Sequence, residues 1–274
     1  MQKDFIKEYW DSQATTHKDS HSASWGDNFM IDLEIATIGE HLASGDKVLD
    51  IGCGNGFSTF RQLDAHPEIA SIVGIDYSEN MISYARQTKK NRGLGSNIDF
   101  DVGDIRSINF PDDSFDFVYT TRVLINLPTW EQQKRAINEC IRVTRPGGKI
   151  IFSEAFWEPL VLLNAMRTLK QLPPLVEHDF NRYLKKSALE CFLRDQEQAF
   201  SVNEFSSIYY LGSRFLRELV TTPSAYPGYA NPINRIFYEI EKDFSGGGFG
   251  IQQAYIVTKQ GLKMYDNKKK IGDR

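Results

Sequence analysis

The stretch VLDIGCGNGFSTF, residues 48–60, is answered further along the chain by VGIDYSENM, residues 73–81. Val48, Leu49 and Ile51 make a short apolar run with β-branched character, which predicts a buried strand of a parallel sheet. Gly52, Gly54 and Gly56 then recur at every second position, and such residues turn the backbone through positive φ without placing a Cβ between loop and ligand. After Phe57 the chain can start a helix, with Ser58 or Thr59 expected to cap its free amides. A helix N-terminus therefore faces the ligand. In the second stretch Ile72, Val73 and Ile75 form another strand, and Asp76 ends it where a carboxylate can accept both hydroxyls of a ribose.

A dinucleotide fingerprint, GxGxxG, uses the same strand, loop and helix for a pyrophosphate. Here the glycines fall as GxGxG, Phe57 stands where the third fingerprint glycine belongs, and Asp50 lies inside the strand end. That spacing disfavours NAD, and Asp76 repels a 2′-phosphate.

Two more segments extend the pattern. DVGDIRSINFPDDSFDFVYTTRVL, residues 101–124, and RVTRPGGKIIFSE, residues 142–154, follow in order. In the second, Pro146 presets φ for a turn and Gly147 supplies its positive φ, so a helix is reversed into a strand at 149–153. Over residues 45–155 the chain resembles the class I S-adenosylmethionine-dependent methyltransferases, in particular the small-molecule branch typified by ubiquinone and sterol methyltransferases. The resemblance implies a Rossmann-like α/β fold: a doubly wound, mainly parallel seven-stranded sheet with a helical N-terminal segment and insertions that form a cap. It also implies a cofactor site, S-adenosylmethionine in and S-adenosylhomocysteine out. Tyr9, Trp25, Asp50, Gly52, Cys53, Gly54, Asn55, Gly56, Asp76, Tyr77, Met81, Gly103, Asp104, Ile105 and Thr121 are its expected residues. Within that set Asp104 is expected to accept from the adenine amine and Ile105 to pack on the ring.

Organisation follows from the same pattern. Residues 1–45 are read as a helical N-terminal segment with a helix at 28–42, and 46–274 as the domain that carries the motifs. Strands are expected at 47–51, 71–75, 98–102, 115–120, 149–153, 202–211 and 251–258, and helices at 58–64, 79–90, 129–143 and 187–196. Two insertions, 155–186 and 212–250, leave neighbouring positions of the sheet and are expected to cap the acceptor side with Trp157, His178, Tyr183, Tyr226 and Tyr229. Tyr209 and Tyr210, if on a regular strand, point to opposite faces, so at most one reaches a pocket. Arg214 is read as a surface ion pair, with binding of an anionic acceptor as the alternative.

Composition narrows the function. With 274 residues, 41% hydrophobic and 25% charged, the chain suits one α/β domain with added substructure. Net charge is −4, which argues against a broad footprint on nucleic acid, and the lysines at 268–270 sit in a polar tail. The charged N-terminal stretch lacks an apolar core and no run is long enough to span a bilayer, so a cytoplasmic protein without membrane contact is expected. Cys53, Cys140 and Cys191 are too scattered for a disulfide framework or zinc site, and no metal is expected. Thr120, Thr121 and Arg122 replace the Asn-Pro-Pro-Tyr-like motif of nucleobase and glutamine methyltransferases.

The expected function is therefore methylation of a small metabolite, natural-product or sugar-like acceptor, at oxygen, by a monomer or homodimer. Nitrogen or carbon as the target, a non-catalytic partner subunit of the same fold, and transfer of a group other than methyl are the alternatives. A base is needed only if the acceptor loses a proton, and His21 and His178, with His17 beside them in reach, are the candidates. Glu154, ending a central strand, is a candidate acceptor contact or a structural hydrogen-bond partner.

Overall fold

A computed structural model describes residues 5–17, 25–178, 180–221 and 228–261. Each apolar run of the motif region becomes a strand: β1 Lys47–Ile51, β2 Ser71–Asp76, β3 Ile98–Val102, β4 Phe115–Thr121 and β5 Thr144–Ala155. With β6 Ala199–Asn203 and β7 Gln252–Thr258 they form one sheet in the order β3-β2-β1-β4-β5-β7-β6. All neighbours are parallel except β7, which runs antiparallel to both β5 and β6. The order reverses between β1 and β4, and in open sheets of this kind the crevice at that point, outside the carboxyl ends of the strands, receives ligands.

Alternation along the strands splits the core into two layers. Val48, Ile72, Phe117, Tyr119 and Ile151 face one side, under α2 Asn28–Gly39, α3 Phe57–Ala65, α4 Glu79–Asn91 and α6 Trp157–Leu169. Leu49, Val118, Ile150 and Phe152 face the other, under α5 Trp130–Val143 and α7 Lys186–Asp195. A sheet buried on both faces requires continuous apolar strands, which is what the sequence shows. The N-terminal helix α1 Phe5–His17 lies against α4. Helix α2 has no polar stripe because eight of its twelve residues are buried.

The region after β6 departs from the expected strand at 202–211. Pairing with β7 stops at Asn203; the chain turns at Glu204, and Ser207–Leu211 is helix α8. It continues as a π-turn, Gly212–Leu216, into α9 Arg217–Val220. The Ile-Tyr-Tyr run has strand propensity, but burial against neighbouring helices overrides it. The close packing is visible at Gly212, where a Cβ would lie 2.1 Å from the Phe237 ring of α10 Asn234–Asp243. On a helix Tyr209 and Tyr210 still diverge, so only Tyr210 of the two borders the central cavity.

Arg214, expected at the surface, is 5% exposed. Its guanidinium bonds the carboxylate of Asp27, which is fully buried and receives the Tyr209 hydroxyl at 2.6 Å and the Met30 amide at 3.3 Å. Asp27 is the N-cap of α2, so one carboxylate ends that helix and anchors the segment after β6. Burying an unpaired charge is far more costly than burying a pair. Arg214→Met should therefore destabilise the protein by about 3–5 kcal/mol in urea unfolding, and adding Asp27→Asn should recover part of that loss. If the double variant is no more stable than the single one, the two charges are not coupled.

Candidate functional site

At the carboxyl ends of β1, β2, β3 and β4 lies a cavity of about 620 Å³ that runs on toward β5 and β7. Its floor is the glycine loop. The amides of Gly52 and Cys53 both donate to the Ile75 carbonyl, at 2.7 and 3.1 Å, which stitches the loop to β2. At Gly54, φ is +55° and a Cβ would meet nothing closer than the Met81 sulfur at 4.0 Å, so the backbone is bare toward the cavity. Gly56 differs: it does not border the cavity, contrary to expectation. It is the left-handed N-cap of α3, and a Cβ there would lie 2.9 Å from the rings of Phe60 and Phe100.

Neither Ser58 nor Thr59 caps α3. Thr59 instead donates to the buried Asp50 carboxylate at 2.6 Å, while the Phe57 amide finds the Asn55 side chain at 3.2 Å. Burial pushes the Asp50 carboxyl up to about 6, although the Thr59 bond favours its ionised form.

Asp76 ends β2 as expected and holds backbone amides of the loops after β1 and β2. Oδ2 accepts from the Gly54 amide at 2.9 Å and Oδ1 from the Ser78 amide at 2.8 Å. Each oxygen has a second lone pair, so the carboxylate can also serve a ligand diol. Ser78 caps α4 by accepting from the Met81 amide, which brings Tyr77 and Met81 to the cavity wall. Gly103, Asp104 and Ile105 border its far edge.

Arg106 was not anticipated. It folds back on Asp104 through its amide at 2.8 Å, Nε at 2.9 Å and a terminal nitrogen at 2.7 Å, and lies over the Tyr77 ring. Burial works against ionisation of Asp104, but the guanidinium holds its carboxyl below the ordinary value. A bare glycine, a diol-ready acid and an apolar side chain beside a fixed carboxylate match what an adenosine ligand needs.

The other half is aromatic. Trp25, Phe180, Tyr183, Tyr210 and Tyr229 border it, as do Thr121, Arg122 and Asn126. The Tyr9 ring is 4.7 Å from Phe180, which is 4.7 Å from His178, and together they roof the entrance. Trp25 donates to the Tyr229 hydroxyl at 3.2 Å. Trp157 does not border this cavity but a neighbouring hollow with Leu160 and Val161, on the other side of Val176, Glu177 and His178. His21 and Tyr226 lie outside the described residues, as does the side chain of His17. Among the described histidines, His178 alone borders the cavity. Among the described residues no three His, Cys, Asp or Glu side chains gather to hold a metal ion, and no helix is long and apolar enough to cross a membrane.

Glu154 proves structural. It is fully buried and accepts from Thr120 Oγ1 at 2.7 Å and from the Val123, Leu124 and Ile125 amides at 3.1 to 3.4 Å, so it shapes the turn after β4. Glu34 on α2 is its buried neighbour, accepting from Ser153 at 3.1 Å and from Gln252, with Arg122 at 3.5 Å. Arg122 stood out only as a departure from the Asn-Pro-Pro-Tyr-like motif and Asn126 not at all, yet both lie in the turn beyond a parallel strand's carboxyl end, where ligands collect.

Burial raises the Glu34 carboxyl from 4.5 to about 7, and likewise that of Glu154. A raised folded-state value means the neutral form suits the fold: its stabilisation is complete below the unfolded value and is lost as pH rises toward 7. Glu34→Gln should therefore gain stability relative to wild type between about pH 5 and 7.5, on the order of 2–3 kcal/mol in urea unfolding. Parallel stability curves would show Glu34 ionised throughout.

The comparisons agree with this geometry. A family profile described as a methyltransferase domain matches residues 42–212. Phosphoethanolamine N-methyltransferase 1 of Arabidopsis thaliana is 36% identical over 118 residues, 42% of this chain and 22% of that protein. The O-methyltransferase rstn1 of Aspergillus nomiae is 30% identical over 173 residues, 58% of this chain and 74% of that one. Across the curated relatives the chain spans about half of their length, from 22% to 74%. Among solved structures, the [4+2]-cyclase SpnF superposes with a TM-score of 0.58 at 21% identity, covering 93% of each chain, which is a likeness of fold. With the glycine loop, the acid after β2 and the profile match in one frame, the chain belongs to the class I S-adenosylmethionine-dependent methyltransferases of the small-molecule branch.

Proposed function

We propose that this chain methylates a small-molecule acceptor at oxygen, with S-adenosylmethionine as donor. The observation that carries the reading is continuity: one cavity joins the Gly54–Asp76 floor to the aromatic chamber beside β4, β5 and β7. A chain that only bound nucleoside would have no need of the second half.

In this reading Asp76 holds the ribose, Ile105 covers the adenine, and Asp104, its charge fixed by Arg106, faces the exocyclic amine. Asp50, Gly52, Cys53, Gly54, Asn55, Tyr77, Met81, Gly103 and Thr121 complete the cofactor wall, with Tyr9 and Trp25 over its methionine end. The sulfonium supplies an electrophilic methyl group, so the protein's task is alignment and exclusion of water. Trp25, Tyr183, Tyr210 and Tyr229 provide the apolar walls for the acceptor, and His178 at the roof accepts the proton that a hydroxyl releases on attack. Fold alone does not decide which group is transferred, so the donor's methyl must be followed directly. The relatives include an O- and an N-methyltransferase, and the histidine bordering the chamber favours oxygen.

Two measurements test it. Asp76→Ala should weaken S-adenosylhomocysteine binding in calorimetry by about 1.5–3 kcal/mol, the worth of a charge-assisted hydrogen bond. Unchanged affinity in a folded variant means that Asp76 does not hold the ribose. His178→Gln should lower kcat by about 10²- to 10⁴-fold in a methyl-label transfer assay, with cofactor affinity unchanged. If kcat is kept, His178 is not the base.

A further inference from the structure

The chamber beside β4 contains a cation with an unusual setting. Arg122 follows the last residue of β4 with φ at +56°, a left-handed conformation that a non-glycine residue adopts only when its surroundings hold it there. They do so here: its amide donates to the Ser153 carbonyl at 2.9 Å and its carbonyl accepts from the Asn126 side chain at 2.7 Å. The guanidinium lies 4.6 Å from the Trp25 ring centre, and its side chain is 17% exposed.

Three polar atoms at this place are buried without a hydrogen-bond partner among the described residues: Thr121 Oγ1, Arg122 Nε and Asn126 Oδ1. All three residues border the cavity. Orphaned polar atoms are costly in a protein interior, and three within six residues mark a spot where a ligand's polar groups belong.

Two arginines border the cavity, and they differ in what they have left to offer. Arg106 is bonded to both oxygens of Asp104. Arg122 has one ion pair among the described residues, with Glu34 at 3.5 Å. Burial pushes that carboxyl up to about 7, so below this pH it is increasingly neutral and leaves the guanidinium charge less compensated. Arg214, the cation that the sequence offered for an anionic acceptor, is already neutralised by Asp27.

We propose that Arg122 is the specificity residue of the acceptor half, and that the molecule methylated here carries a carboxylate which pairs with this guanidinium while its apolar body lies among Tyr183, Tyr210 and Tyr229. The inference rests on the methyltransfer reading and adds the acceptor's chemical class to it. A carboxylate fits better than a phosphate, because a guanidinium stacked on an aromatic ring presents one planar edge suited to two coplanar oxygens. A phosphate dianion would call for more than this one available cation. The contacts of Arg122 itself run to the β5 and β7 side of the sheet, through Ser153 and through Glu34 with its Gln252 contact.

Calorimetry on the 274-residue chain saturated with S-adenosylhomocysteine tests this, with cinnamate and its neutral amide, cinnamamide, as probes. Cinnamate should bind at least 10-fold more tightly than cinnamamide, and Arg122→Gln should erase that preference while S-adenosylhomocysteine affinity stays within a few-fold. Arg122→Lys, which keeps the charge but loses the planar fork, should fall between the two. Equal binding of acid and amide, no binding of cinnamate at millimolar concentration, or a preference that survives Arg122→Gln overturns the proposal. A loss of S-adenosylhomocysteine affinity in Arg122→Gln as large as the loss for cinnamate also overturns it, by making Arg122 a cofactor ligand. Failure of the wild-type protein to bind S-adenosylhomocysteine at all strikes the methyltransfer reading instead.

Discussion

Where a strand leaves a parallel sheet, its backbone amides lose their partners, and the cavity of this protein is built on how two acids answer that loss. Asp76 takes the Gly54 and Ser78 amides at the end of β2, and Glu154 takes three successive amides beyond β4. A buried amide without a partner is too costly to leave. Each carboxylate therefore fixes the path of a loop. The first loop forms the cofactor floor, and the second carries Arg122 and Asn126 to the cavity.

The two acids differ in what remains after that work. Asp76 borders the cavity, so one group both shapes the floor and can bind what rests on it. Glu154 is turned wholly inward, and the functional surface it supports belongs to neighbours. A carboxylate at a strand end is thus ambiguous in sequence: the same position in the fold serves as ligand contact in one case and as scaffold in the other.

That ambiguity marks the limit of what was legible in the sequence. The glycine loop and Asp76 could be placed because their requirements are local: a positive φ, a missing Cβ, an acid ending an apolar run. Five parallel strands followed from apolar periodicity for the same reason. Helix α8 could not, because Ser207–Leu211 has the propensity of a strand and is helical only through packing on α10. Arg106, Arg122 and Arg214 were equally hidden. An arginine can lie at the surface, clamp an acid two residues away or neutralise one on a distant helix, and only tertiary contacts decide which. Gly56 was assigned to the ligand because it repeats the spacing of Gly52 and Gly54, whereas a Cβ there would meet two phenylalanine rings.

The junction at Asp27 has a bearing on the order in which the molecule can be assembled. The carboxylate that caps α2 is satisfied by Tyr209 and Arg214, 182 and 187 residues later in the chain, and β7 enters the sheet between β5 and β6 only after both exist. Contacts of such long separation form late, since the intervening chain must first be closed. During synthesis the motif-bearing strands β1 to β5 can pair as they emerge, while α2 waits with a buried-to-be charge still in water. The acceptor chamber, whose walls include Tyr210 and Tyr229, is then the last part to take shape on the ribosome, and a nascent chain stalled before residue 214 would present the cofactor floor with no room yet made for a substrate.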